Sequence, residues 1–374
     1  MEGCPTMDKK FVSQVASHFA FEGTFSEMRE LTAGIINVTY LVTCTAADET
    51  SHDYVLQRIN TTAFKDPVSL MKNIGKVTGF IRNSLLAEGV DPARRVLTFV
   101  EADNGTLLYT DPLGGSWRAY HYVDGVTAYN SIEDPAHFYE AGKGFGEFQT
   151  RLAAFPAKEL TETIPHFHDT PHRYSAFLEA VEKDAVGRVA ELGAEIAFLK
   201  EREALMGAIV SKLSSGELPL RVTHNDTKLN NVLVDDTTGK ALCVIDLDTV
   251  MPGSSLYDYG DAVRYGACTS AEDEPDTGKV GFDMNLFEMF TRGFVEATKA
   301  VLTETEIRML PVGTAVLTLE LAIRFLTDYI NGDVYFKTAY PGHNLVRART
   351  QMRLLTEVEA RMDDMNAFVD GLLE

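Results

Sequence analysis

Residues 224–231 read HNDTKLNN, and they lie between two short apolar segments that have the composition of β-strands. Asp226 precedes Asn231 by five residues, and Asp246 follows fifteen residues later within VIDLD, residues 244–248. Phosphoryl transfer requires a carboxylate that orients a hydroxyl and accepts its proton, and it requires oxygen ligands that hold Mg²⁺ on the phosphates. These three side chains can supply both.

The spacing of these residues matches a kinase pattern. Protein kinases carry H-x-D followed by Asn five positions after the Asp, and a second motif places a metal-binding Asp where Asp246 stands. Each residue alone also has an ordinary structural explanation, because Asp226 can cap a turn, Asn231 can stabilise a loop and Asp246 can end a strand. The ordered set, with strands before it and helices after it, favours the kinase.

The part of the chain before this segment predicts strands around one helix. Asp66 as N-cap and Pro67 as first helical residue predict where the helix starts, and Gly89 predicts its end. Turn-forming residues separate five β-rich segments, at residues 35–43, 54–59, 96–101, 106–110 and 117–123. We therefore expect a five-stranded antiparallel sheet and one helix.

Helical periodicity dominates from Pro135 onward, which places a boundary near residue 124. Short strand-like segments interrupt the helices at residues 220–223, 232–234 and 242–248. An amphipathic pattern from Asn344 to the C-terminus predicts one closing helix, whose methionines we expect in the core. The chain therefore divides into two predicted domains, residues 1–123 and residues 124–374.

Composition and charge argue against several classes of protein. The 374 residues are 45% hydrophobic and 24% charged, as in a globular protein of about two domains. A net charge of -21 would repel a nucleic-acid backbone. The four cysteines form no CxxC pair, which fits a reducing cytoplasm rather than a disulfide framework. No run of 18 apolar residues and no signal-peptide pattern occurs, so we expect no membrane span.

Long segments of the sequence resemble one family. HNDTKLNNVL at residues 224–233 and VIDLDTVMPGSSLYDYGD at residues 244–261 look like the aminoglycoside phosphotransferase-like family, which shares the kinase fold and includes choline, homoserine and sugar kinases. Further segments resemble bacterial N-acetylhexosamine 1-kinases within that family: LTETIPHFHDTPH at 160–172, RFLTDYINGDVY at 324–335 and YPGHNLVRARTQ at 340–351. The similarity covers nearly the whole chain.

The resemblance implies an α+β, protein-kinase-like fold of two lobes. Residues 1–123 are then a nucleotide-binding lobe, and residues 124–374 are a mainly helical lobe with the catalytic loop and the sugar site. The implied cofactors are ATP and Mg²⁺. Asp226 is implied as the catalytic base that meets the substrate hydroxyl, and Asn231 and Asp246 as the magnesium ligands.

The resemblance also implies contacts for the base and the sugar. Adenine is expected to hydrogen-bond to the backbone between Tyr120 and Val123, a segment that includes His121 and Tyr122. Arg324 and Tyr335 match positions that contact the sugar.

Two positions depart from the family pattern. Many kinases have a glycine-rich phosphate loop, whereas residues 32–37 read TAGIIN and keep only Gly34. Gln57 stands where many relatives have a phosphate-binding Lys, and it brings no charge. Arg58 points to the opposite face of the strand, because side chains alternate. We expect Gly34, Asn37 and Gln57 to contact the nucleotide, and phosphate neutralisation to depend more on Mg²⁺.

A second polar cluster consists of His166, His168, Asp169 and His172. Imidazoles and a carboxylate can bind zinc, but this spacing matches no established zinc motif, and hydrogen bonds that fix a loop are the alternative. We interpret Asp258 and Asp261 as residues that support the catalytic loop, with Arg264 holding one of the two carboxylates.

The preferred hypothesis is an ATP-dependent kinase that phosphorylates the C1 hydroxyl of N-acetylglucosamine or N-acetylgalactosamine. One alternative keeps the chemistry and changes the acceptor to an aminoglycoside, choline or an amino acid. The other is a nucleotide-binding pseudokinase, suggested by the missing Lys at Gln57 and opposed by the presence of Asp226, Asn231 and Asp246. We expect a monomer or weak homo-oligomer that binds neither nucleic acid nor membrane.

Overall fold

The computed structural model describes residues 8–31 and 36–374. Gly34 and the other residues between 32 and 35 lie outside the described part of the chain. We call residues 8–31 and 36–123 the front part and residues 124–374 the rear part.

A six-stranded antiparallel sheet forms the front part, with hydrogen-bonded order β1-β2-β3-β6-β4 and with β5 also paired to β6. Its strands are β1 (Thr24–Leu31), β2 (Val38–Thr45), β3 (Ser51–Ile59), β4 (Phe99–Val100), β5 (Tyr109–Thr110) and β6 (Ser116–His121). The sequence predicted five of them and missed β1. This edge strand buries none of its residues, so it lacks the alternation of apolar and polar side chains that reveals a half-buried strand.

Helix α2 (Pro67–Ala87) crosses one face of the sheet. Its start is the predicted one, because Asp66 accepts a hydrogen bond from the Ser69 backbone N–H at 3.0 Å and Pro67 follows as the first helical residue. Gly89, with a φ of 73°, lies just past the end of the helix. Helix α1 (Lys9–Ala16) packs on the opposite face in a cluster with Trp117, which is fully buried.

The rear part is mainly helical. Its helices are α3 (Pro135–Arg151), α4 (Thr170–Lys183), α5 (Gly193–Lys200), α6 (Glu203–Met206), α7 (Val210–Ser215), α8 (Ser255–Gly266), α9 (Met284–Thr298), α10 (Glu304–Arg308), α11 (Leu310–Ile330), α12 (His343–Ala360) and α13 (Met362–Gly371). The predicted closing helix is thus two helices that meet at Arg361. Met352 and Met365 are buried, as expected.

Helix α11 is the core helix of the rear part. Among the described helices it is the one long and apolar enough to cross a membrane, and 83% of its most apolar window is buried inside the structure. It packs against α4, α8 and α12. This burial explains its apolar composition, because a helix surrounded by other helices is apolar on every side.

Short strands flank residues 224–231. β7 (Val126–Ala128) pairs with β9 (Val232–Asp235), which also pairs with β10 (Ala241–Val244), while β8 (Arg221–Thr223) pairs with β11 (Met251–Gly253). The predicted strand 242–248 therefore ends earlier than expected. Asp246 has a φ of 60°, a left-handed conformation that a strand cannot accommodate.

Candidate active site

The loop between β8 and β9 carries Asp226, and a buried carboxylate of α8 holds that loop. Asp258 accepts hydrogen bonds from the backbone N–H groups of His224 at 2.9 Å and Asn225 at 2.7 Å, and from Gln149 Nε2 at 2.7 Å. Burial raises the pKa of Asp258, against the lowering effects of His224 and of these bonds. Asn225 has a φ of 65°, which asparagine tolerates better than most residues. Asp258 thus supports the loop that carries Asp226, as predicted.

Hydrogen bonds join this loop to the segment that carries Asp246. His224 Nε2 lies 2.8 Å from the carbonyl oxygen of Ile245, and Asn225 Nδ2 donates to the carbonyl oxygen of Thr249 at 2.8 Å. Thr249 Oγ1 in turn donates to the carbonyl oxygen of His224 at 2.7 Å. The two sequence motifs are therefore held side by side.

Two side chains of its own loop contact Asp226. Lys228 Nζ lies 2.7 Å from Asp226 Oδ1, and Asn231 Nδ2 donates to the Asp226 carbonyl oxygen at 2.8 Å and to Oδ2 at 3.4 Å. Burial alone would lower the pKa of Lys228, but Asp226 and, more weakly, Asp261 outweigh it and raise that pKa. Lys228 was missed in the sequence, although its position two residues after the predicted base was a usable signal.

The Asp246 side chain is exposed, although neighbouring groups remove part of its hydration. The loss of hydration raises its pKa to about 6, and the negative charges of Asp248 and Asp226 add to that increase. No described residue donates a hydrogen bond to its carboxylate. Asp246 is therefore a carboxylate without a protein partner beside two others.

The oxygen atoms here suit a divalent cation. Asn231 Oδ1 accepts no hydrogen bond from the residues described, and the same holds for both oxygens of Asp246. Within the described ranges no group of three or more His, Cys, Asp or Glu side chains has metal-binding geometry. Mg²⁺ is commonly held by one or two protein groups together with substrate phosphates. Asn231 and Asp246 fit that kind of site, and their role as ligands stays a prediction.

The predicted nucleotide contacts Asn37 and Gln57 belong to one network. Asn37 Nδ2 donates to Asp248 Oδ2 at 2.7 Å, and Gln57 Nε2 donates to Thr39 Oγ1 at 3.1 Å. Gln57 Oε1 accepts from Arg118 Nε at 2.9 Å, and Arg118 Nη1 pairs with Asp248 Oδ1. Arg118 and Asp248 were missed in the sequence, because they lie 130 positions apart in the chain and no local pattern reveals their contact.

In the segment predicted to bind adenine, some backbone N–H groups already donate hydrogen bonds within the protein. The His121 N–H donates to the carbonyl oxygen of Thr98 at 3.0 Å, and the Tyr122 N–H donates to the carbonyl oxygen of Asp53 at 3.0 Å. The N–H and C=O of Val123 have no hydrogen-bond partner in the described part of the chain. Val123 therefore remains able to bond the edge of a base.

Arg324 and Tyr335 both contact the aromatic ring of Phe336. The Arg324 guanidinium is 5.4 Å from the centre of the Phe336 ring and 5.7 Å from that of Phe167, and it makes no hydrogen bond or ion pair with the residues described. Tyr335 packs edge-on against Phe336 and is 67% exposed. Its backbone N–H donates to Asp328 at 2.8 Å. Both side chains remain open to a ligand.

The histidine cluster divides between two partners. His166 stacks on His172 and lies 3.0 Å from Asp169 Oδ2, whereas buried His168 lies 2.9 Å from Glu320 Oε1. Asp169 also caps α4 by accepting from the His172 backbone N–H at 3.1 Å. The observed contacts are hydrogen bonds that fix a loop.

Charged groups connect the catalytic loop to α11. Against the effect of burial, Arg264, with smaller contributions from His168 and Lys228, lowers the pKa of Asp261. Arg264 Nη2 and Asp261 Oδ1 are 2.7 Å apart, so Arg264 holds one of the two carboxylates as predicted. His168 and Arg324 likewise lower the pKa of Glu320 against burial. These effects on pKa connect a series of charged groups in which each influences the next. In order, the groups are Asp226, Lys228, Asp261, His168, Glu320 and Arg324.

Known proteins share this architecture. The family model described as "Phosphotransferase enzyme family" matches residues 27–283. An aminoglycoside phosphotransferase from Alicyclobacillus acidocaldarius aligns with a TM-score of 0.58 at 12% identity, over 99% of this chain and 96% of that one. A choline/ethanolamine kinase family protein from Mesorhizobium loti gives 0.55 at 15% identity, over 93% and 92%. Amicoumacin kinase hAmiN, solved with AMP-PNP, Ca²⁺ and Ami, gives 0.57 at 14% identity, over 93% of each chain. These similarities confirm the expected α+β, protein-kinase-like fold.

Proposed function

The chain belongs to the phosphotransferase enzyme family, and from this we propose that it is an ATP-dependent kinase of a small molecule, N-acetylglucosamine or N-acetylgalactosamine. The reaction transfers the γ-phosphate of ATP to the C1 hydroxyl and yields the sugar 1-phosphate and ADP. The observation that supports this proposal best is the position of Asp226. Lys228 and Asn231 hold it beside the carboxylate of Asp246, which has no partner among the described residues.

Asp226 performs the proton transfer. It accepts the proton of the C1 hydroxyl while that oxygen bonds to the γ-phosphorus, and the bond from phosphorus to the bridging oxygen breaks as ADP leaves. An anomeric hydroxyl is more acidic than an ordinary alcohol, so Asp226 contributes more by orienting it than by basicity. Lys228 lies 2.7 Å from the carboxylate and places a positive charge beside the transferred group.

The metal site uses the two oxygen donors that lack protein partners. Mg²⁺, when bound to Asn231 and Asp246, supplies positive charge that neutralises the phosphates. Asn231 has a double role, because its amide nitrogen holds Asp226 while its oxygen is left for the metal. Val123 and the backbone around it receive the adenine, and Asn37 and Gln57 lie on the phosphate side.

The charges near the acceptor side favour a neutral acceptor. Neither Arg324 nor Arg173 forms an ion pair with any residue described. Burial and the like charge of Arg324 lower the pKa of Arg173, so two guanidinium groups lie close together. Lys228 adds a third positive charge directly at Asp226. Repulsion from the Arg324 and Arg173 guanidinium groups disfavours a cationic aminoglycoside or choline at their position, whereas sugar hydroxyls and an acetamido group can accept hydrogen bonds from Arg324 and Tyr335.

A coupled ADP-release assay tests this function. The acceptors are N-acetylglucosamine, N-acetylgalactosamine, glucosamine, galactose, kanamycin and choline, each with MgATP. We expect turnover on one or both N-acetylhexosamines and on neither kanamycin nor choline, and phosphorus NMR should place the phosphate on C1. Turnover on kanamycin or choline alone would overturn the sugar assignment and keep the kinase. No turnover on any acceptor, with nucleotide still bound, would favour the pseudokinase. A cytoplasmic location and a monomer or weak homo-oligomer stay predictions.

A further inference from the structure

A buried arginine lies beside the position where a phosphate-binding Lys is missing. Arg118 on β6 pairs directly with Gln57 on β3, and side chains paired across antiparallel strands project from the same face. The Arg118 side chain is 3% exposed. It therefore projects from the same face of the sheet as Gln57 and is buried there.

Arg118 contacts the strand and the helix on which other kinases carry a charged pair. In protein kinases a Lys on the third strand pairs with a Glu of the helix that packs on the sheet. In this chain Arg118 donates a hydrogen bond to Gln57 Oε1 on β3, and its Nη1 lies 3.9 Å from Met71 Sδ on α2. Both of these neighbours are neutral. The positive charge is still present, but it comes from the neighbouring strand.

The guanidinium has one donor group to spare. Nε is used by Gln57 and Nη1 by Asp248, while Nη2 has no acceptor among the residues described. Burial alone would lower the pKa of Arg118, yet Asp248 and, more weakly, Asp246 outweigh that effect and raise it. Arg118 is therefore charged, and its guanidinium contacts Asp248 and is influenced electrostatically by Asp246.

We propose that Arg118 is the phosphate-binding cation of the nucleotide site, with Nη2 donating to a non-bridging phosphate oxygen while Nε and Nη1 keep Gln57 and Asp248 in place. The inference rests on the proposed function only in taking the nucleotide to be ATP. The same guanidinium fixes Asp248, two residues after the predicted metal ligand Asp246, so it also orients the metal-binding segment.

Isothermal titration calorimetry with ATP, ADP, AMP and adenosine, in Mg²⁺ and without any acceptor, tests the proposal. Loss of a charge-assisted hydrogen bond weakens binding by roughly tenfold to a hundredfold. We expect Arg118→Gln to raise the Kd of ATP by that factor and to change the Kd of adenosine by no more than about twofold. An equal increase in the Kd of all four ligands would overturn the phosphate contact and show that Arg118 has a structural role.

Two further variants separate charge from architecture. Asp248→Asn removes the ion pair and keeps the cation, so the ATP-to-adenosine affinity ratio should stay near that of the wild type; a collapse as large as in Arg118→Gln would contradict the proposal. The double change Gln57→Lys with Arg118→Gln should restore part of that ratio. If Arg118→Gln does not fold, Arg118→Met, which also removes the charge, replaces it, and an unchanged ratio there would be the contrary result. Because no acceptor is present, an error in the sugar assignment does not affect these measurements.

Discussion

At the scale of single residues, the two oxygens of Asp226 have unequal partners. Oδ1 is 2.7 Å from Lys228 Nζ, whereas Oδ2 is 3.4 Å from Asn231 Nδ2, at the limit of a hydrogen bond. A weakly bonded carboxylate oxygen keeps lone pairs for a substrate hydroxyl, because an ionised carboxylate offers about four acceptor sites. Oδ2 is therefore the oxygen that we expect to receive the proton.

The first prediction concerns this carboxylate. Asp226→Asn should lower kcat by about 10²- to 10⁴-fold, since an amide cannot accept the proton in the transition state. The Kd of MgATP should change little, because the adenine segment and Arg118 lie on other strands. Steady-state ADP release and calorimetry measure the two effects. Asp364→Asn, an exposed carboxylate of α13, serves as the control with full activity.

The second prediction concerns Asp246 in magnesium-free protein. Its folded-state pKa of about 6 lies above the ordinary value of 3.8, so its ionisation costs stability as the pH rises through that range. Asp246→Asn should therefore raise the melting temperature at pH 8 and change it little at pH 4, while activity with Mg²⁺ is lost. Scanning fluorimetry in EDTA measures this difference. An equal gain at both pH values would show that charge is not the cause.

At the scale of elements, α3 and α9 approach closely because each has a glycine at the crossing. A Cβ on Gly142 would lie 2.3 Å from the carbonyl oxygen of Phe290, and one on Gly293 would lie 2.2 Å from that of Tyr139. Real Cβ atoms cannot approach backbone that closely. The packing of α9 on α3 therefore depends on these two glycines, and α3 in turn positions Gln149, which holds Asp258.

The third prediction compares two Gly→Ala changes. Gly142→Ala should destabilise the protein by about 1–3 kcal/mol, because the added methyl group forces the helices apart. Gly79→Ala in α2 is the matched control, since no atom lies within 4 Å of the new Cβ. It should stabilise by about 0.5–1 kcal/mol through the helix propensity of alanine. Urea unfolding measures both, and effects of the same sign would refute the packing argument.

A second contact between elements joins α11 to the start of α4. The carboxylate of Glu320 is fully buried, with His168 Nδ1 2.9 Å from Oε1 and Thr170 Oγ1 donating to Oε2 at 2.7 Å. Burial opposes ionisation, but His168 and Arg324 lower the pKa of Glu320 below its ordinary value of 4.5. The ionised carboxylate therefore stabilises this contact.

The fourth prediction follows from that sign. Because the pKa of Glu320 is lowered in the folded state, its ionised carboxylate adds to the free energy of unfolding above pH 4.5. This contribution is lost as the pH falls through the folded-state pKa. Glu320→Gln should cost about 1.5–3 kcal/mol at pH 7, the typical contribution of a hydrogen bond to a charged group. The difference from the wild type should shrink below pH 4.5. Urea unfolding at pH 7 and pH 4 would test this, and a difference that grows towards acid would contradict it.

At the scale of the whole molecule, the front and rear parts share one apolar cluster and several polar contacts. Ile74 and Val77 of α2 belong to the same buried cluster as Phe148 of α3. Asn73 Nδ2 donates to the carbonyl oxygen of Val250 at 3.0 Å and to that of Thr161 at 2.7 Å. The division between residues 1–123 and 124–374 stays a prediction, and these contacts limit how independently the two parts can move.

The fifth prediction uses ligand-dependent stability. A ligand that binds the folded state alone stabilises it by about 2.7 kcal/mol at a concentration of 100 times Kd. MgATP should therefore raise the melting temperature, and N-acetylglucosamine or N-acetylgalactosamine should raise it further. Choline and kanamycin should give no such increase. Scanning fluorimetry provides the measurement, and an increase with kanamycin would argue for a cationic acceptor.

The sequence by itself determined the features that depend on residues close together in the chain. The spacing of Asp226, Asn231 and Asp246 and the cap at Asp66 are local patterns, so the kinase-like fold and the start of α2 could be predicted. The edge strand β1 could not, because it buries none of its residues and leaves no periodic signal.

Only the tertiary structure decided which distant groups meet at the phosphate side of the cleft. Arg118 and Asp248 are separated by 130 residues, and the register of β6 against β3 sets Arg118 beside Gln57. Sheet register depends on the packing of whole faces rather than on single residues. Gln57 brings no charge to its strand, and the fold sets the positive charge of Arg118 directly opposite it.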